Sequence, residues 1–364
     1  MLVVGLMSGT SLDGVDAVAV DFSASARAIG HVHHPYDAAL RSELLALNSS
    51  GADELHRAAL AANGVARAYA GTVAALLKTL GLDGAAVRAI GAHGQTVRHR
   101  PREFDGNGYT LQLLNGALLA ELSGIAVVCD FRSRDLAAGG EGAPLVPAFH
   151  AQVFGQPGHD VAVLNLGGIA NLTLLPADGG VTGFDCGPGN ALLDFWSLRH
   201  LGQPYDADGA WAAGGQVDQH LLQALLADGF FGRPPPKSTG RDLFNEAWLS
   251  TRLDTRLAPR DVMATLAELT ARGAADALQA LAPATARLVV CGGGAFNRHL
   301  MARLAALLPR AGLVSSAEFG IPPDQVEAIA FAWLAQAHLE RRAGNRVAVT
   351  GARGERVLGA LYPA

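Results

Sequence analysis

With 364 residues the chain is too long for one ordinary core and suits two domains, and half of its residues are hydrophobic, enough for a large buried interior. Only 17% are charged, for a formal net charge of −5, and no basic run or aromatic-spaced basic patch occurs, which argues against nucleic acid as a partner. No basic-then-apolar leader opens the chain, and apolar runs are broken before the roughly 20 residues a bilayer span needs, so neither a signal peptide nor a membrane helix is expected.

Residues 2–4 are an apolar run short enough for a buried strand. Ser8, Gly9, Thr10 and Ser11 follow, then an Asp13-Gly14 turn, and residues 15–22 resume as a second strand carrying Asp16 and Asp21. Asp-Gly between two such runs predicts a hairpin. Its turn is rich in glycine, hydroxyls and N–H donors, which is what a polyphosphate needs from a protein; an ordinary tight turn is the alternative. Residues 35–47 and 51–80 favour helix, the second ending at Gly81. Residues 87–92 predict a strand that delivers His93, Gly94, Gln95 and Thr96, the position where α/β proteins place ligand contacts; a histidine bonded to local backbone is the alternative for His93. A helix over 115–123 and a strand over 124–129 lead to four charges in six residues, Asp130 to Asp135, which could be a solvated turn. The glycines and prolines of 139–147 suit a linker, so the junction is placed here, between domains 1–135 and 136–364.

Residues 161–175 repeat the opening pattern: strand, Gly167-Gly168 turn, strand with Asn171. Two such units, one per half, suggest duplicated domains. Helices are predicted over 190–201, 221–226 and 261–281, with three prolines at 234–236 ahead of Lys237-Ser238-Thr239-Gly240-Arg241. A strand over 287–291 runs into Gly292, Gly293 and Gly294 and a helix from about 297 to 308, and the last clear helix covers 324–342 before a mixed tail. Strand, glycines, helix also admits a dinucleotide reading, with Glu318 at about the right distance, but Asn297 stands where its third glycine should be. The Gly-x4-Gly-Lys-Ser/Thr loop is absent. Asp185, on the turn before Cys186-Gly187-Pro188-Gly189, could hold a carboxylate within reach of a proton, although a turn aspartate is the plainer reading. Asp324-x-x-Glu327 after two prolines reads as a helix capping box. Cys129, Cys186 and Cys291 lie far apart with no C-x-x-C; they read as small buried residues in a reducing cytosol.

Eight segments in order resemble the anhydro-N-acetylmuramic acid kinases of the sugar kinase–Hsp70–actin superfamily, and they cover essentially the whole chain: GLMSGTSLDGVDAVAVDF (5–22), AHGQTVRHRP (92–101), DFRSRDLAAGGEGAPLVP (130–147), LNLGGIANLT (164–173), GFDCGPGNALLD (183–194), KSTGRDLFN (237–245), CGGGAFNRHLMARL (291–304) and VEAIAFAWLA (326–335). The resemblance implies a two-lobed actin-like ATPase (ribonuclease H-like) α/β fold, with duplicated mixed-sheet domains around a central cleft that takes the nucleotide. It implies a phosphate hairpin in each half, Gly9, Thr10, Ser11, Leu12, Asp13, Gly14, Val15 and Asp16 in one and Gly167, Gly168 and Asn171 in the other. The adenosine site then falls to Gly292, Gly293, Gly294 and Asn297, which is preferred over the dinucleotide reading. Asp185 takes the role of general base and Glu327 that of catalytic helper. His93, Gln95, Thr96, Asp130 and Arg132 are candidates for the sugar, with Arg132 suited to the lactyl carboxylate because arginine grips a carboxylate bidentately.

The expected activity is ATP-dependent phosphorylation of 1,6-anhydro-N-acetylmuramic acid with hydrolytic opening of the ring, in peptidoglycan recycling in the cytoplasm, by a homodimer. Mg²⁺ is expected with ATP. Leu6 and Met7 occupy the place where many sugar kinases carry an aspartate, so Asp13 or Asp16 is the nearest carboxylate for it. An ordinary sugar 6-hydroxyl kinase and a non-enzymatic ATP-driven clamp remain alternatives. The tail, 344–364, could pack back on the first lobe.

Overall fold

The structure is a computed structural model that describes residues 1–9, 12–235, 237–240 and 243–364. It divides into two compact units, Met1–Val153 with Gly320–Ala364, and Phe154–Phe319. The first unit therefore extends past residue 135 and takes up the last helix and the tail, which the sequence reading had assigned to 136–364, the tail with the option of packing back.

The first unit is built on a sheet of six strands. The chain supplies β1 (Leu2–Met7), β2 (Gly14–Asp21), β3 (Arg27–Pro35), β4 (Ala89–Ala92), a separate hairpin of β5 (Gln95–Pro101) and β6 (Gly108–Leu113), and β7 (Val127–Cys129). The second unit supplies β8 (Val161–Leu166), β9 (Ile169–Leu175), β10 (Thr182–Pro188), β11 (Arg287–Cys291) and β12 (Gly312–Ser315), and β13 (Ala360–Tyr362) returns to the first. The first sheet runs β13-β7-β4-β1-β2-β3. β1, β2 and β3 are antiparallel neighbours, whereas β4 and β7 continue parallel. β13 closes the edge antiparallel to β7.

The second sheet runs β10-β9-β8-β11-β12, again three antiparallel strands followed by two parallel ones. Strand for strand this repeats β3-β2-β1-β4-β7. The duplication suggested by two similar hairpins is thus a duplication of whole sheets, as expected of an actin-like, ribonuclease H-like α/β protein.

Two glycines explain why the last helix belongs to the first unit. Gly5 of β1 and Gly91 of β4 are directly paired across the parallel strands. A Cβ at Gly5 would overlap the Ala328 carbonyl, and one at Gly91 would overlap that of Phe331. The bare strands let the backbone of helix Val326–Leu339 lie directly on the sheet. From Ala328 to Ala335 that helix is apolar on all sides, as a segment enclosed by protein must be; Ile329, Ala330 and Ala332 are completely inaccessible.

Val65, Tyr69, Val73 and Leu76 of helix Glu54–Leu80 join the core made by Val4, Leu6, Val15 and Ala17. Against expectation, this helix is long and apolar enough in composition to cross a membrane, with mean hydropathy 1.2. Its buried stripe packs on the sheet core, and Gly81 ends it at φ 64°. In the second unit, helix Pro259–Leu281 opens with proline in its first turn and packs Ala271, Ala274, Ala275 and Leu278 against β8, β9 and β10. All three cysteines are buried thiols, and burial pushes Cys129 up to about 12.

Candidate active site

Ser8 follows β1 and is buried. Its hydroxyl donates to Gly94 O at 3.1 Å, so the Tyr69 hydroxyl, 2.7 Å away, donates to it. Gln95, also buried, sends its Nε2 to Gly9 O at 3.0 Å and to Thr96 O at 3.3 Å. These bonds pin the start of the hairpin turn to the segment after β4. Thr10 and Ser11 of that turn lie outside the described residues. Leu12 has φ 56° and accepts from Arg41 Nε at 3.0 Å. A Cβ at Gly14 would overlap His34 O, so the turn needs glycine there. Asp13 is exposed; Asp16 is half-buried and its Oδ1 accepts from His31 Nε2 at 2.8 Å and His33 Nδ1 at 3.1 Å. The bond to Asp16 raises the His31 pKa.

Behind this turn, His93 is 5% exposed, and its ring lies 4.6 Å from that of Phe331. Its Nε2 faces Arg132 Nε at 3.3 Å and Nη2 at 3.0 Å. A guanidinium only donates, so Nε2 accepts, the ring proton sits on Nδ1, and Nδ1 donates to Ser8 O at 3.3 Å. Burial, then the Arg132 charge, hold the imidazole down to about 3, so it is neutral. Arg132 also donates from Nη1 to Gly142 O at 2.8 Å. Desolvation lowers its pKa to about 10, against the pull of Glu327 and Asp135, and it stays a cation at neutral pH.

Asp135 is fully buried, in contrast to a solvated turn: it accepts from Asn345 Nδ2 at 2.6 Å, Thr350 Oγ1 at 2.8 Å and Gly142 N at 2.8 Å. Asp130 is exposed at φ 55° and accepts from Ser133 Oγ. Thr96 Oγ1 accepts from Gln112 Nε2 at 3.2 Å.

The capping box expected at Asp324 and Glu327 does not form. Pro323–Gln325 is a 3-10 turn, the residue capping helix Val326–Leu339 is Gln325, and no side chain caps it. The prolines draw Asp324 into that turn instead. Glu327 is left in the first helical turn with an exposed side chain. The protein around it pushes its carboxyl up and the Arg132 charge pulls it down; exposure discounts the first effect.

In the second unit the β8–β9 turn is braced by the start of helix Ala191–Leu201. Asn190 N–H donates to Gly167 O at 2.8 Å, while the N–H groups of Gly189 and Ala191 each donate to Gly168 O at 3.0 Å. A Cβ at Gly189 would overlap Gly167 O. Gly292, at φ 80°, approaches the same hairpin so closely that a Cβ would stand 2.7 Å from Leu166 O, and one at Gly294 would stand 2.6 Å from Leu166 Cβ. Asn171 pairs with Asp185 across β9 and β10. Asn297 caps helix Arg298–Leu307 by accepting from Leu300 N at 2.9 Å. Gly293, Gly294 and Asn297 line a pocket of about 490 Å³ that includes Asp194, Tyr205, Asp208 and Phe296.

Asp185 sits on β10 immediately before a bulge, between the pairs Asp185↔Asn171 and Gly187↔Ala170. Bulges re-aim side chains, and this one adds Cys186 to the strand. Thr239 N–H donates to Asp185 Oδ2 at 2.8 Å, and Asp185 N–H donates to Lys237 O at 3.0 Å. Lys237 is 9% exposed; its Nζ donates to Phe230 O and Phe231 O, each at 3.2 Å, and lies 4.7 Å from the Phe230 ring. Burial raises the Asp185 carboxyl to about 6, opposed by the Thr239 N–H and the Lys237 charge.

The sequence model of the anhydro-N-acetylmuramic acid kinase family matches residues 1–364. The anhydro-N-acetylmuramic acid kinase of Albidiferax ferrireducens is 58% identical over 386 residues, covering 100% of this chain and 99% of that protein. The chain belongs to the anhydro-N-acetylmuramic acid kinase family. The Bordetella petrii kinase of that name is 60% identical over 370 residues, covering 100% and 96%. Among solved structures, the activator of the 2-hydroxyisocaproyl-CoA dehydratase from Clostridium difficile with bound ADPNP is similar with a TM-score of 0.48 and 12% identity, covering 93% of this chain and 96% of that one. A ROK family glucokinase from Streptomyces griseus, in complex with glucose and AMPPNP, gives 0.40 and 15%, covering 92% and 99%.

As a member of this kinase family the protein is a phosphotransferase that takes ATP and a small sugar. Within the first unit, Gly9, His93, Gln95 and Arg132 are joined through Ser8 and its neighbours, and Glu327 acts on Arg132. Within the second, Gly167 and Gly168 are bonded to the start of helix Ala191–Leu201, and Gly292 and Gly294 lie against Leu166 of β8. Lys237 and Thr239 are the residues that sequence reasoning left without a role. The signals were the cluster after the prolines and its place in the segment KSTGRDLFN; Arg241 of that cluster lies outside the described residues.

Proposed function

We propose that the protein phosphorylates 1,6-anhydro-N-acetylmuramic acid and hydrolyses its anhydro ring in one reaction, giving N-acetylmuramic acid 6-phosphate and ADP. O6 is locked in the bridge, so it is no free nucleophile until the bridge opens. Asp185 removes a proton from water as that water attacks C1; the C1–O6 bond breaks, and the released O6 attacks the γ-phosphate. Glu327 assists around the water. Arg132 takes the lactyl carboxylate. The two hairpin turns hold phosphates by backbone N–H groups, and the pocket beside Gly293 takes adenosine.

The observation that carries this reading is the environment of Asp185. A half-buried carboxylate raised to about 6 is a competent base at neutral pH, and Thr239 holds Oδ2 so that Oδ1 can accept the proton. Mg²⁺ fits the exposed carboxylate of Asp13, since that ion commonly takes one or two carboxylates together with phosphate oxygens and water. It would neutralise charge on the phosphates. Oδ1 of Asp16 already accepts from two histidines, so as a second ligand Asp16 would offer its Oδ2. Among the described residues no group of three His, Cys, Asp or Glu could hold a metal. The place of the reaction is the recycling of cell-wall sugar in the cytoplasm, by a homodimer, without nucleic acid or membrane.

The test is turnover of purified protein with ATP and the anhydro sugar, set against hexoses with a free 6-hydroxyl. A product heavier than substrate by one water and one phosphoryl group supports the reading. Phosphorylation of the free hydroxyls alone overturns it.

A further inference from the structure

We propose that His93 is a positioning residue, whose neutral ring turns the Arg132 guanidinium toward the lactyl carboxylate of the sugar. This rests on the reading above, in which Arg132 takes that carboxylate. A guanidinium has five N–H groups. His93 Nε2 accepts from Nε and Nη2, and Gly142 O accepts from Nη1. Two N–H groups remain, one on each terminal nitrogen, the number a carboxylate accepts side by side. His93 therefore occupies the Nε–Nη2 edge of the fork, and one N–H on each terminal nitrogen stays open to a ligand.

The ring suits this task because its own orientation is determined. Nδ1–H is spent on Ser8 O, one face rests on Phe331, and the residue is 5% exposed. With both nitrogens engaged, His93 has no donor left for a sugar hydroxyl. Its bond to Ser8 also ties the fork to the strand end that leads into the first hairpin turn. A ring bonded behind the guanidinium in this way, with its own tautomer set by Ser8 O, fixes the direction of the group that meets the ligand.

Two measurements on the full chain test it. The first is ¹⁵N NMR of the His93 ring in the wild-type protein between pH 6 and 8. The neutral, Nδ1-protonated tautomer is expected throughout; an Nε2-protonated ring or an imidazolium overturns the proposal. This measurement needs no variant and stands if a variant fails to fold.

The second compares the lactyl-bearing anhydro sugar with 1,6-anhydro-N-acetylglucosamine, which lacks the lactyl group, for wild type, His93→Phe and Arg132→Gln. In His93→Phe, KM for the lactyl sugar should rise roughly tenfold, as when an outer-shell partner is removed. Its kcat should stay within about threefold, and affinity for the analogue should not change. An equal loss for both sugars in His93→Phe, with discrimination still abolished in Arg132→Gln, overturns the role of His93 and keeps that of Arg132. Wild-type discrimination in Arg132→Gln overturns the carboxylate reading itself, and the inference with it.

Discussion

Thr239 and Asp185 are joined by the Thr239 N–H, which donates to Asp185 Oδ2 at 2.8 Å, and the same short stretch of backbone holds Asp185 a second time, its N–H donating to Lys237 O at 3.0 Å. The carboxylate is aimed by main chain at both ends. A base held this way should be worth roughly 10²–10⁴-fold, so Asp185→Asn, which keeps the shape, should lose at least that in turnover while ATP still binds. Near-normal turnover of the variant would remove Asp185 from the role.

The same carboxyl should set the acid limb of the rate. Burial raises it to about 6, and only the ionised form accepts a proton. The ionised fraction falls as pH drops through 6, so kcat should fall about tenfold between pH 7 and pH 5. A flat profile across that range contradicts the assignment. For stability the sign is opposite: a carboxyl raised above its unfolded value costs stability as pH climbs through 4 to 6. Asp185→Asn should therefore melt higher than wild type at pH 8, and the gap should close below pH 4.

Lys237 offers a separate check. Its ammonium favours the charged form of Asp185, so Lys237→Met should raise the Asp185 pKa and move the acid limb to higher pH. It also leaves the Phe230 and Phe231 carbonyls without their donor. Activity should fall more at pH 6 than at pH 8. An equal loss at both pH values would mean that Lys237 only holds the loop together.

Much of this architecture was legible because two apolar runs flank each polar glycine turn, and the same strand–turn–strand unit occurs twice. The boundaries at Gly81 and Asn297 were legible as well, since left-handed glycine and an asparagine cap are local chemistry. β3, with its three histidines, carries no apolar alternation, and β5 is polar but for Val97; the Tyr109, Leu111, Leu113 alternation of β6 is too short to stand out beside it, so none of the three was visible in advance. The tail 344–364 is expected to have the option of packing back, but the return of helix Val326–Leu339 to the first unit was hidden. It depends on Gly5 and Gly91 standing side by side, which only the register of β1 on β4 reveals. In the site, Asp185 could be named, whereas Thr239 and Lys237 lie in the KSTGRDLFN segment but act through a backbone N–H and a buried ammonium, roles that their residue types do not announce.

The pairing of Gly5 with Gly91 makes a stability prediction. In Gly5→Ala the new methyl meets backbone of Ala328, which cannot rotate away. Overpacking of a tight interior costs about 1–3 kcal/mol, and a unit of this size loses roughly 2–4 °C of melting temperature per kcal/mol. Thermal melting of Gly5→Ala and Gly91→Ala should show drops of several degrees. An unchanged melting temperature would mean that the helix does not rest on the strands.

The stereochemistry of ring opening separates the proposed reaction from ordinary sugar phosphorylation. The anhydro bridge joins C1 and C6 through an oxygen on the β face, so water must reach C1 from the α face. One displacement by water inverts the anomeric centre, whereas a carboxylate that bonded to carbon first would give retention after two displacements. With Asp185 as a base toward water and never a nucleophile, the new C1 hydroxyl is α when formed and reaches the anomeric mixture only later, by ring opening. Proton NMR in the first moments of turnover should show the α-anomer of the 6-phosphate in excess. Predominantly β product at the earliest times would require a covalent route through an enzyme carboxylate, and Asp185 would then be the nucleophile instead of the base.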